Sequence, residues 1–196
     1  RSHPMLIAAA CAAELAGESD RAKPLNNREL TSVVPPDDPA DKLTRTEQES
    51  CLANGLAPLE IGVANSVRIV RSITTYVQDE HGSDDDTLLD IQTIRVLDYC
   101  RYAIRFKVQQ ELSGAKLASE AKASGTTDPT QIRGLIQGVL IQLQDELGYL
   151  ERVEDWMDRL VVELDGSVVG RVNAHIPADI VDGFHVFAGE LQLILG

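Results

Sequence analysis

The end of this 196-residue chain constrains its fold more than any other stretch. Glu190 is the one formal charge between Phe184 and Leu195, and the run is rich in β-forming residues. Leu191, Leu193 and Leu195 alternate with Gln192 and Ile194, which is the period of a strand. An apolar strand left on an open edge is a template for aggregation, so this one has to be covered. The residues leave two ways to cover it. It is a central strand of the chain's own sheet, or part of it pairs with another chain by strand addition. Each added backbone bond contributes roughly 0.5–1.5 kcal/mol net, so several in register make a firm but reversible link.

The rest of the chain alternates helical and strand patterns. Residues 4–17 read as a buried helix, with Pro4 in the first turn and Gly17 at the end. Ala8, Ala9, Ala12 and Ala13 offer it a close-packing face. The apolar run is short, Glu14 interrupts it, and it lacks a basic n-region of the usual kind, so it does not read as a signal peptide. Residues 18–43 read as an irregular connector, and Val34 to Pro39 is too proline-rich for a helix interior or a central strand. Thr44 and Glu47 have capping-box spacing ahead of a short helix that ends at Asn54-Gly55. Strands are expected over Leu59 to Val63 and Val67 to Val77. The break from His81 to Asp86 places three Asp where a helix would start.

That helix is expected from Thr87 to Leu112, with Leu88, Ile91, Ile94, Val96, Leu97, Ile104 and Val108 on its apolar face. Residues 113–127 read as a mobile loop. Asp128 and Pro129 open a further helix that stops at Gly148. Strands over Leu160 to Leu164 and Val168 to Ile176 flank a hairpin signal at Asp165-Gly166, and Pro177 to Val181 reads as one helical turn. This order predicts an α+β fold, a β-sheet with long helices packed on one face.

Charge and composition narrow the function. A net charge of −13 repels phosphate backbones and anionic membrane surfaces, so neither nucleic acid nor membrane is an expected partner. No apolar run is long enough to span a bilayer. Cys11, Cys51 and Cys100 form no CxxC pair and read as reduced, small core residues of a protein folded in a reducing cytoplasm. The sequence has no Gly-rich phosphate loop and no nucleophile elbow, so no catalytic residue, cofactor or metal is expected. His175, Asp179 and His185 would be the metal site of an alternative cytosolic enzyme. Asp84, Asp85 and Asp86 lack the rest of a calcium loop. Arg101, Arg105 and Lys107 lie among Tyr99 and Tyr102, and read as a packed or subunit-facing helix in an acidic chain.

Several segments, in order, resemble the tail-sheath family of contractile-tailed phages, in its Mu-like branch. Leu52 to Ala57 is similar to its Leu-x-x-Gly-Ile-Ala/Ser segment, and Arg71-Ser72-Ile73-Thr74-Thr75-Tyr76 to its Arg-x-Ile-Thr-Thr-Tyr strand. Leu89-Asp90-Ile91-Gln92-Thr93, Tyr99-Cys100-Arg101-Tyr102 with Arg105, and Lys116-Leu117-Ala118 resemble the family's following helix and loop. Pro177 to Val181, Phe184 to Ala188 and Leu191 to Leu195 resemble its closing segments. Residues 34–39 lack the adjoining Gly, and Phe184-His185 stands where the family has Arg.

The resemblance implies a structural protein, not an enzyme. Residues 1–43 would be an N-terminal helix and Pro-rich connector. Residues 44–196 would be the sheath C-terminal, inner domain, in a fragment of a longer protein. Copies of the subunit would form six-fold rings around a tail tube protein, between baseplate and tail terminator proteins. It would act in the virion after assembly in the host cytoplasm, contracting to drive genome delivery. A sheath-like or baseplate component of a related injection system is the nearest alternative. Phe187, Leu191, Leu193 and Leu195 would exchange a strand between subunits. Arg101, Arg105 and the turn at Asp84, Asp85 and Asp86 would face a subunit or the tube.

Overall fold

The computed structural model describes residues 2–186, 189, 190 and 192. The chain forms two compact units. One runs to Gln92 and takes in the segment from Asp182, and the other is Thr93–Val181. The fold mixes helix and strand, as the α+β reading expects. Among the described residues the strands pair as three two-stranded ladders and not as one continuous sheet.

The first unit begins with α1, Pro4–Gly17, where His3 accepts a hydrogen bond from the Met5 N–H and Pro4 takes the first helical position. Its boundaries match the sequence reading, but its burial does not. No α1 residue is fully buried. Ile7, Ala10, Cys11 and Leu15 rest against a core of Leu25, Leu30, Val33, Val67 and Ile69, while Ala8, Ala9, Ala12 and Ala13 are exposed. The helix is apolar on every side, so its pattern selects no face, and the longer side chains on one side reach the core.

Three of those five core residues, Leu25, Leu30 and Val33, come from the segment read as an irregular connector. The Asn27 N–H donates to the Ile69 carbonyl at 2.8 Å and the Leu30 N–H to the Val67 carbonyl at 2.8 Å. Residues 27–30 therefore line one edge of β2, Val67–Ile69, and β1, Leu59–Ile61, pairs antiparallel with the other. In chain order α2, Arg45–Ala53, comes between residues 27–30 and β1, opened by the expected Thr44–Glu47 capping box.

The expected strand over residues 67–77 stops at Ile69. Beyond it the chain pairs with the approach to the next helix: Ile73 bridges Asp90, the Thr74 N–H donates to Leu89 and the Ile91 N–H to Ser72. Ile73 is buried there without a continuous ladder. The acidic turn also departs from expectation. The Asp79 carboxylate accepts from the His81 and Ser83 N–H groups, and Asp85 from that of Thr87. These side-chain turns compete with helix, and α3, Ile91–Leu112, starts only after them.

In the second unit α3 buries Val96, Cys100 and Ile104 at a four-residue spacing. The segment 113–127 holds a short parallel pair, β3 (Lys116–Leu117) and β4 (Thr126–Thr127). Helix α4, Pro129–Asp145, is capped by Asp128, which accepts from Gln131 N–H at 2.8 Å and Ala121 N–H at 2.9 Å. It buries Ile132, Ile136, Val139, Leu140 and Leu143, the apolar stripe its sequence predicts.

A short helix absent from the sequence reading, α5 (Val153–Trp156), adds Val153 and Trp156 to this core beside Tyr149 and Leu150. The hairpin of β5, Val161–Leu164, and β6, Val172–His175, follows. Its connection is longer than Asp165-Gly166. Asp165 organises it by accepting from Ser167 and Val168 N–H groups and from the Asn173 amide. Residues 177–181 do not form the expected helical turn. Their backbone pairs with residues 149–151, and Arg152 holds Asp179 at 2.6 Å.

Candidate assembly surfaces

The basic cluster read from the sequence lies on the outer side of α3 in the second unit. Arg101, Tyr102, Arg105 and Phe106 fall on one face because their spacing is one and four residues. Tyr102 is 60% and Phe106 52% exposed, and their rings stack with centroids 5.8 Å apart. The inner ring, Tyr99, meets Tyr149 edge-on at 5.6 Å. The stems of Arg101 and Arg105 border a cavity of about 290 Å³ with Leu97, Cys100, Ile104 and Leu140. Burial pushes the Cys100 thiol up to about 11, so it stays a neutral packing group. Lys107, the third basic residue, is paired with Glu111 at 2.6 Å. Sequence reasoning passed over Phe106, although its spacing from Tyr102 signals the stack.

The acidic turn belongs to the first unit. Its three Asp are not equivalent. Asp85 receives the Tyr76 hydroxyl at 2.5 Å and the Thr87 N–H at 2.9 Å. These donors hold its carboxyl below the usual range, and the hydrogen bond to Asp85 raises the Tyr76 hydroxyl. Asp84 and Asp86 are exposed, and neither has an ion pair among the described residues.

Phe187, Leu191, Leu193 and Leu195 lie outside the described residues. The approach to them is described. His185 turns into the first unit, with its Nδ1 2.8 Å from the Asn26 amide and its Nε2 3.3 Å from the Gln92 amide and 3.5 Å from Asp90. Burial lowers its pKa, opposed by Asp90. On either side of it Phe184 and Val186 are exposed. Gly183 permits this approach, since a Cβ there would lie 2.7 Å from the Gln92 amide nitrogen and 2.9 Å from the His185 ring.

The β5–β6 hairpin is exposed in the second unit. Val161, Leu164, Val168 and Val169 all lie open to solvent, and among the described residues no third strand joins the pair. The alternative metal trio is divided. Asp179 is engaged by Arg152 and His175 is exposed on β6, both in the second unit, whereas His185 is held in the first.

The chain is an α+β module with an exposed hairpin, an Arg–aromatic ridge and an acidic turn. Family models for the phage tail sheath protein central domain and the phage tail sheath C-terminal domain match residues 5–75 and 83–194. The chain belongs to the phage tail sheath family. It is 29% identical over 195 residues to the Mu-like prophage FluMu tail sheath protein of Haemophilus influenzae. That match covers 97% of this chain and 40% of the relative, so the chain spans about 40% of the length of that curated relative.

Solved structures share the fold at 16% identity. A sheath tail protein from Listeria innocua has a TM-score of 0.64, covering 88% of this chain and 38% of that one. Chains of the anti-feeding prophage baseplate and of its contracted helical sheath have TM-scores of 0.63 and 0.61. They cover 93% and 91% of this chain and 48% and 47% of their own.

Proposed function

We propose that this chain is part of a contractile phage tail-sheath subunit that polymerises around the tail tube and contracts to drive genome delivery. The observation that carries the reading is the succession of two sheath-domain matches, in family order, over nearly the whole chain. On this reading the subunit works in the virion tail after assembly in the host cytoplasm. It associates with copies of itself in six-fold rings, with the tube and with baseplate and terminator proteins. It acts through association and not as an enzyme.

The mechanism follows from backbone hydrogen bonding. A two-stranded hairpin is marginal alone, and β5–β6 exposes apolar residues and, among the described residues, has no strand on either edge. The apolar segment holding Phe187, Leu191, Leu193 and Leu195 supplies the missing strand from a neighbouring subunit. Backbone links of this kind keep subunits connected while softer side-chain contacts rearrange between an extended and a contracted packing. Arg101, Arg105 and the turn at Asp84 to Asp86 belong to those softer contacts.

A sheath-like component of a related contractile injection machine is the second reading, because the fold is shared with chains of the anti-feeding prophage baseplate and sheath. Polymer length separates the two. Electron microscopy of the purified full-length protein tests the proposal. Long hollow tubes are expected; particles of fixed size would favour the baseplate reading, and a monomer at high concentration would refute both.

A further inference from the structure

We infer that the Arg101–Phe106 ridge of α3 docks onto the acidic turn of a second copy of the subunit, and that Asp84 and Asp86 are the carboxylates it receives. The inference rests on the sheath reading and names which surfaces meet.

The ridge has the composition of an interaction hot spot, with two Arg beside two stacked aromatic rings. The rings are already stacked, so little side-chain freedom remains to be lost on docking. Among the described residues Arg105 has no ion pair, and Arg101 has only Asp98 at 3.5 Å. In a chain with a net charge of −13, two under-neutralised guanidinium groups beside exposed aromatics call for an acidic partner.

The turn is prepared in the complementary sense. Asp79 and Asp85 are used up in holding the loop, through the His81, Ser83 and Thr87 N–H groups and the Tyr76 hydroxyl. That leaves Asp84 and Asp86 exposed on a braced backbone, and guanidinium–carboxylate pairing suits them. Two ridges would repel each other, and so would two turns. A two-fold dimer through either surface is therefore disfavoured. A contact between unlike patches is heterologous and propagates into a ring or a helix. The two patches together are too small to hold subunits alone, since stable interfaces bury about 1,200–2,000 Å². The contact is therefore one of the salt-sensitive ones that can break and re-form beside a permanent link.

Charge reversal in the full-length protein tests this. Arg101→Glu with Arg105→Glu, and separately Asp84→Lys with Asp86→Lys, are each expected to raise the critical concentration for polymer about tenfold or more. Combining all four restores opposite charges and is expected to bring it back to within about threefold of wild type. Circular dichroism checks folding. Should a reversed variant not fold, Arg105→Gln and Asp86→Asn provide a milder cycle, in which the double substitution costs no more than the larger single one. Losses that simply add would overturn the pairing. So would a ridge variant that fails beside a turn variant that behaves as wild type, the pattern expected if the ridge meets the tube. Wild-type protein that forms no polymer would instead refute the sheath reading itself.

Discussion

Arg71 grips Asp90 through two parallel hydrogen bonds, Nε to Oδ1 at 2.8 Å and Nη2 to Oδ2 at 2.6 Å. The pair is partly shielded and ties the chain just beyond β2 to the residue that precedes α3. Fork-to-carboxylate pairs of this geometry are the strong ones among ion pairs. Asp90→Asn keeps the shape and removes the charge, and is expected to cost about 2 kcal/mol in urea unfolding. Arg71→Lys is expected to recover little of an Arg71→Ala loss, because an ammonium cannot make the fork.

Two glycines in the left-handed region separate backbone strain from crowding. Gly148 has φ 62° and nothing within 4 Å of an added Cβ. Gly55 has φ 69°, and its Cβ would sit 3.0 Å from the Thr75 Cα. Gly148→Ala should cost about 1 kcal/mol, the conformational penalty alone. Gly55→Ala should cost at least about twice that, because backbone cannot move aside cheaply. Equal losses in parallel denaturation curves would contradict the close approach of Gly55 to Thr75.

His185 predicts a pH dependence confined to the start of the terminal segment. Burial lowers its pKa, Asp90 and Asp182 oppose the shift, and Arg71 reinforces it. A histidine whose pKa falls on docking stabilises the docked state fully above its free value, near 6.5. That stability is lost as pH falls through this value toward the docked one. The protection factors of the amides around residues 182–186, corrected for the intrinsic slowing of exchange in acid, should fall as the pH drops below about 6.5. His185→Gln should flatten that dependence while leaving exchange in α4 unchanged.

Acid lability at lower pH has a different source. Backbone N–H groups hold Asp128 and Asp165 below the usual carboxylate range, and the Tyr76 hydroxyl does the same for Asp85. Their contribution is complete above the unfolded value, about 3.9, and disappears as pH falls through the lowered native values. Asp128→Asn, which keeps an N-cap oxygen, should lower the melting temperature less than Asp128→Ala at pH 7. The difference between wild type and Asp128→Ala should shrink toward pH 2.

Helices were legible where periodicity and caps agreed. Asp128, Pro129 and the stripe from Ile132 to Leu143 mark α4, and Thr44 with Glu47 marks α2, because these signals are local. The reading failed where tertiary partners decided the outcome. The β-branched residues after Ile69 suggested a longer strand, but Ile73 is buried against the approach to α3 and not in a ladder. Asp84 to Asp86 looked like a helix start, yet Asp79 and Asp85 close turns of their own. α1 is apolar all round, so its sequence could not say which face meets the core. The exposed positions of Arg101 and Arg105 on α3 were legible from charge and helical spacing. The inward turn of His185 was not, because it depends on Asn26, which lies 159 residues away in sequence.

In the proposed assembly the apolar segment holding Phe187, Leu191, Leu193 and Leu195 completes a sheet edge on another copy. The most direct measurement is polymer formation by the full-length protein ending at Glu190, compared with wild type by electron microscopy and sedimentation. Tubes from the wild type and only small, folded species from the shortened protein are the expected result. Tubes of normal length and number from the shortened protein would contradict the strand link.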